Sequence, residues 1–246
     1  VVVTGPSGCG KTTLCRCLNG LIPHFYEGEM EGRVLIFGTD TREKKVAELS
    51  TVVGMVFQNP ENQLFCTTVE QDVAFGLENL GVEREEMIRR VEWAMKLTGV
   101  YGLRHKAPYE LSGGQQQRVV IASVLAMQPR ILVLDEPTSF LDPLTAKSIL
   151  EDLRRLSFEL GVTVFLVEHR LDVLAPLCDR VLVLYRGELF ADGDPRDVLS
   201  SKNVRAIGVG IPKTVDAYRM LKSKGISLPK IPLSVNEFLE GLRFDR

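Results

Sequence analysis

Five short apolar runs punctuate the chain: Val1–Val3, Val52–Phe57, Ile131–Leu134, Val162–Val167 and Val181–Tyr185. They are rich in Val, Ile and Leu and lack polar alternation, the pattern of strands buried on both faces. Helical stretches separate most of them. Together they predict an α/β fold, a mostly parallel sheet flanked by helices. Arg33–Phe37, held between Gly32 and Gly38, reads as a further, peripheral strand.

From Thr68 to Gly99 the pattern turns helical. Thr68 and Gln71 have the spacing of a capping box, in which the two side chains satisfy each other's backbone N–H groups. Met87, Val91, Ala94 and Thr98 fall on one face of a second helix that Gly99 stops. A third helix follows Gly113 and Gly114 and ends near Pro129, so three helices are inserted between two strands. Beyond Ser200, Pro212 opens a helix that Gly225 closes, and Ser234 with Glu237 forms a second capping-box spacing. The pattern therefore divides the chain into a sheet core (1–60 and 130–200), a helical insertion (61–129) and a small helical extension (201–246). The first residues already read as a buried strand, so an upstream segment is expected.

Composition narrows the function classes. With 246 residues, 45% hydrophobic and 25% charged, the chain can bury a sizeable core. A net charge of −2 with both signs intermixed gives no electrostatic footprint for nucleic acid, and none is expected as a partner. No apolar run reaches bilayer-spanning length and no secretory leader is present, which predicts a soluble protein able to dock on a membrane partner. Cys9, Cys15, Cys17, Cys66 and Cys178 form no metal-ligand spacing and no disulfide framework, as in a reducing cytosol.

Chemistry concentrates in two stretches. "GPSGCGKTT", comprising Gly5, Pro6, Ser7, Gly8, Cys9, Gly10, Lys11, Thr12 and Thr13, follows the first strand and fits G-x-x-x-x-G-K-[ST]. Glycines let successive N–H groups turn toward a phosphate, Lys11 reaches the β/γ oxygens, and Thr12 offers a hydroxyl to Mg²⁺. "ILVLDEP" ends a buried strand on Asp135, where a carboxylate is costly unless it holds a cation or its water shell. Glu136, one residue on, is placed to polarise a water for attack on a γ-phosphate. A third stretch, "LSGGQ", places Ser112, Gly113, Gly114 and Gln115 at a helix start. Exposed N–H groups there and the helix dipole suit an anion.

Through these motifs the chain resembles the ATP-binding-cassette ATPases. Gly5–Thr12 resembles Walker A, Ile131–Asp135 Walker B, and Leu111–Gln115 the LSGGQ signature. Gln58 resembles the Q-loop glutamine, Ser139–Asp142 the D-loop and His169 the switch histidine. The resemblance implies a P-loop (RecA-like) core, ATP and Mg²⁺ as ligands, and catalysis by Glu136, His169 and Gln58. It places Thr12, Gln58 and Asp135 around the metal. It also implies a head-to-tail pair in which Ser112–Gln115 of one subunit covers ATP held by the other. "NGLIPHFYEGEMEGRV", "FQNPENQLFCTTVEQDVAFGLENLG", "VEHRLD" and the tail from Ile211 are similar to the ATPases of energy-coupling-factor importers of vitamins and transition-metal ions.

For this chain the importer resemblance implies a second ATPase subunit, an integral-membrane transport component, an indirectly linked substrate-capture protein, and a peripheral place on the cytoplasmic membrane face. The alternatives are an ATPase of another importer class, or a non-transport member of the family acting on nucleic acid, ribosomes or iron–sulfur assembly. Only about 100 residues separate Lys11 from Leu111 with no heptad run, which speaks against the coiled-coil DNA-repair type.

The chain departs from the family at three points. The N-terminal strands carrying an adenine-stacking aromatic are not in it, Phe140 stands where a small residue is common, and Cys9 occupies a Walker A position. At a helix start beside Lys11, the Cys9 thiol is expected to react faster than Cys178.

Overall fold

The computed structural model describes residues 1–26 and 28–243; Glu27 and the last three residues of the C-terminal extension lie outside it. The chain forms two compact units, one of residues 1–11 with 166–246 and one of residues 12–165.

The first unit is built on β1 (Val2–Thr4), which is buried throughout. It pairs in parallel with the end of β6 (Thr163–Val167), through Val2 opposite Leu166, and with β7 (Val181–Tyr185), through Val2 opposite Val181. The chain then turns back into β8 (Glu188–Gly193), antiparallel to β7. β8 is largely exposed, and its apolar stretch, Leu189–Ala191, is too short to announce it. Helices at Pro195–Ser200, Lys213–Ser223 and Val235–Arg243 complete this unit. The spacing of Ser234 and Glu237 predicts a capping box at the start of the last helix. The Glu237 N–H does donate to Ser234 Oγ (3.2 Å), but its carboxylate reaches one residue further back, to the Leu233 N–H (2.9 Å).

α1 (Lys11–Leu18) follows the phosphate loop, and the second unit begins within it at Thr12. The predicted peripheral strand shrinks to β2 (Leu35–Ile36), hairpinned to β3 (Thr39–Asp40). β4 (Val53–Val56) and β5 (Ile131–Asp135) pair in parallel, Val53 opposite Ile131 and Val56 opposite Leu134. Every described pairing is parallel except the two hairpins, so the mostly parallel sheet with flanking helices is the observed fold.

Between β4 and β5 lie α2 (Val69–Asn79), α3 (Arg84–Leu97) and α4 (Gly113–Ala126). Thr68 and Gln71 cap α2 reciprocally, as their spacing predicts. Val73, Leu77, Val91, Ala94, Met95, Val119 and Ala122 interlock as one buried cluster, with Met87 packed against it. Truncating a side chain such as Leu77, which is fully buried, costs about 2–5 kcal/mol at sites of this kind.

α5 (Pro143–Leu160) begins at Asp142, whose carboxylate accepts from the N–H groups of Leu144 and Thr145 at 3.0 and 3.1 Å. α4 is tied to α5 in two ways. Arg118 donates to Asp152 Oδ2 (2.6 Å) and Ser148 Oγ (2.9 Å). Gly114 lies so close to α5 that an added Cβ would stand 2.4 Å from the Thr145 methyl. Only glycine permits that approach, which fixes where the helix start sits.

Candidate functional site

The phosphate loop leaves buried Thr4 and curls through Gly8 and Gly10, both at positive φ. Gly5 cannot carry a side chain, since a Cβ would lie 2.1 Å from the Leu184 carbonyl oxygen. Lys11 is buried, and its ammonium donates to the carbonyls of Gly5 and Pro6 at 3.0 Å each. The lysine thus gathers the loop around its own charge. Cys9 Sγ lies 3.9 Å from Lys11 Nζ, and the residue is only 4% exposed. Position in the loop predicts a reactive thiol; burial against Gly5 and Lys11 shields it instead. Thr12 is half-buried and Thr13 exposed.

At the end of β5, Asp135 is 5% exposed. Its charge is felt at Cys15 in α1: burial first, and then Asp135, push that thiol well above the ordinary cysteine range. Glu136 follows with φ 48, a left-handed conformation that bulky non-glycine residues adopt rarely and at a cost. Its carboxylate oxygen Oε2 accepts from Gln58 Nε2 (3.0 Å) and from Ser139 Oγ (3.1 Å). Two sequence-predicted residues, Gln58 and Glu136, are therefore brought into contact from positions 78 apart. Ser139 joins them; its spacing placed it in the D-loop but gave no sign of this bond.

At the signature, Ser112 caps α4 and forms a reciprocal box with Gln115 (Gln115 N to Ser112 Oγ, 3.4 Å; Ser112 N to Gln115 Oε1, 3.0 Å). The next glutamines differ in role. Gln116 Nε2 donates to the Pro108 carbonyl at 3.1 Å. Gln117 is 1% exposed, and its amide nitrogen has no partner among the described residues. Gln58, Gly113, Gln117 and Phe140 line a cavity of about 340 Å³, with Phe140 itself exposed.

His169, just past β6, is exposed. The buried carboxylate of Glu168 accepts from the backbone N–H groups of His169 (2.6 Å) and Arg170 (3.2 Å). Glu168 thus shapes the turn that presents the histidine, a role the motif alone does not disclose.

Thr12, Asp135 and Gln58 offer hard oxygen donors of the kind Mg²⁺ takes. No group of three or more His, Cys, Asp or Glu side chains able to hold a metal occurs among the described residues. That sparse set suits an ion that keeps several waters and uses few protein ligands.

The family described as ABC transporter matches residues 1–139. This chain belongs to that family. It is 48% identical over 243 residues to a Pyrococcus horikoshii protein provisionally named an ABC transporter ATP-binding protein, covering 98% of this chain and 85% of that one. It is 43% identical over 244 residues to the energy-coupling factor transporter ATP-binding protein of Symbiobacterium thermophilum, covering 98% and 83%. Among solved structures, cbiO1 of Clostridium perfringens, part of the ABC transporter complex cbiONQ, superposes with a TM-score of 0.73. It shares 36% identity over 86% of this chain and 84% of that one. The ABC ATPase described here is thus an ATP-hydrolysing subunit whose hydrolysis is coupled to transport. No helix among its described residues is long and apolar enough to cross a membrane.

Proposed function

We propose that this ABC ATPase is the motor of an energy-coupling-factor importer, taking up a vitamin or a transition-metal ion. The observation that carries the reading is near-full-length similarity, 43% over 98% of the chain, to an energy-coupling factor transporter ATP-binding protein. The likeness to cbiO1 of the cbiONQ complex supports it. The proposal includes a second ATPase subunit, an integral-membrane component on which the ATPases sit at the cytoplasmic face, and a substrate-capture membrane protein reached through it. Residues 1–60 and 130–200 serve as the RecA-like core, 61–129 as the signature-bearing subdomain, and 201–246 as a contact between ATPases.

In this reading Gly5–Thr13 cradles the ATP phosphates through backbone N–H groups, and Lys11 transfers its ammonium from the loop carbonyls to the β/γ oxygens. Thr12, Asp135 and Gln58 hold Mg²⁺, which when bound neutralises charge on the phosphate oxygens. Glu136 takes a proton from the attacking water, and Gln58 and Ser139 orient its carboxylate. His169 contacts the γ-phosphate. Ser112, Gly113, Gly114 and Gln115 present the start of α4 to ATP held by the partner, where N–H groups stabilise the transferring phosphoryl group.

The reading is tested by isolating the tagged chain from membranes of its own source after detergent extraction. Recovery of a multispanning subunit together with a small substrate-capture membrane protein is the expected result. Recovery with ribosomes or nucleic acid, and without membrane subunits, overturns it.

A further inference from the structure

The β2–β3 hairpin turns through Phe37 and Gly38, at φ 49 and 84. Two-residue loops with positive φ at both positions favour Asn, Asp or Gly first, and an aromatic there is a steric outlier. The ring is not absorbed by the core, since Phe37 is 55% exposed. It lies under the Arg130 guanidinium, 3.6 Å from carbon to ring centroid. The stacked pair lines two cavities, of about 500 and about 470 Å³. The larger also takes in Trp93, Gln128 and Thr163.

Three features of the larger cavity point to a ligand. Its volume falls within the roughly 300–1,000 Å³ of small-molecule sites. Gln128 on its wall is a second non-glycine residue at positive φ, 56, and such strain gathers at ligand clamps. Arg130 is the one charged side chain among the described residues lining the larger cavity, while Lys44 and Glu48 line the smaller one. Arg130 precedes β5 and Asp135 ends it, so about 3.3 Å per residue puts roughly 15 Å between this cavity and the Walker B carboxylate.

We propose that the cavity walled by Phe37, Trp93 and Arg130 binds a planar aromatic anion of about two fused rings, outside the ATP-hydrolysing machinery. A guanidinium stacks on a ring through its face and donates in-plane to an anionic group through its edge. The aromatic and aliphatic walls bury the ligand's body, and the exposed Phe37 ring supplies a platform already in place.

Trp93 is the only tryptophan in the chain, so its fluorescence reports on this cavity directly. The full chain is titrated with anilinonaphthalene sulfonate under selective tryptophan excitation. Saturable quenching with one site per chain is expected, unaffected by Mg-ATP. Arg130→Gln, and Thr163→Glu at the exposed start of β6, should each weaken it by about tenfold or more, as loss of a charge-assisted contact does. The neutral analogue phenylnaphthylamine should bind weaker by a similar factor. ATP hydrolysis should be unchanged in both variants, which certifies their folding; if Arg130→Gln misfolds, Thr163→Glu decides alone. Unsaturable quenching, wild-type affinity in the folded variants, equal binding of the neutral analogue, or displacement by Mg-ATP each overturns the proposal.

Discussion

Glu136 is constrained twice, by a left-handed backbone that costs on the order of 1–3 kcal/mol and by two donors meeting one carboxylate oxygen. An amide in its place keeps the size but cannot take a proton from water. Glu136→Gln is therefore expected to retain ATP binding while turnover drops about 10²–10⁴-fold. Phosphate release and nucleotide binding, measured on the same preparation, check it; turnover within a few-fold of wild type moves the base elsewhere. Thiol chemistry tests the phosphate loop. Cys9 is 4% exposed, whereas Cys178 is partly exposed. Burial and Asp72 hold the Cys66 thiol up at about 11. A maleimide should therefore label Cys178 before Cys9, and peptide mapping reads the order. The motifs made the loop legible in sequence. The shielding of Cys9 was not, because it depends on Lys11 folding back onto the carbonyls of Gly5 and Pro6.

Elements announced by apolar runs or caps were legible, and those shaped by distant partners were not. Thr68–Gln71 and Ser112–Gln115 cap their helices through bonds three residues apart, within reach of a local pattern. β8 is exposed with an apolar stretch of only three residues, and is held by pairing with β7. The last helix, Val235–Arg243, depends on Glu237, which receives both forks of Arg196 from 41 residues away (2.9 and 2.8 Å) and Lys230 Nζ (3.1 Å). Arg196 chiefly, opposed by partial burial and aided by the Leu233 N–H, brings the Glu237 carboxyl from the ordinary 4.5 to about 2. A carboxylate lowered in the folded state binds its proton more readily when unfolded. Its stabilisation is full above pH 4.5 and is lost as pH falls from there through about 2. Amide protection across 235–243, taken relative to the intrinsic exchange rate at each pH, should fall in that window in the wild type. Glu237→Gln should show lower protection at neutral pH and little further loss of protection on acidification. An acid response that persists in the variant assigns it to other groups.

At the scale of the whole molecule, each chain carries one phosphate loop and one signature, and the two belong to different sites if ATPases pair head to tail. Within this chain Ser112 and Gln115 satisfy each other, so the first turn of α4 is capped by its own residues. No sequence pattern within one chain states which chain's phosphate that turn meets; a mixing experiment does. Lys11→Ala should disable the phosphate loop, and Ser112→Arg should disable the signature by placing a bulky cation at the interface. Each alone should be inactive. In an equimolar mixture that exchanges subunits freely, half of the pairs carry both chain types, and each of those holds one intact site. Recovery of about a quarter of wild-type turnover is then expected from head-to-tail pairing. A mixture as inactive as its components, with exchange shown by mass analysis of differently tagged chains, would mean that loop and signature do not serve ATP across the pair.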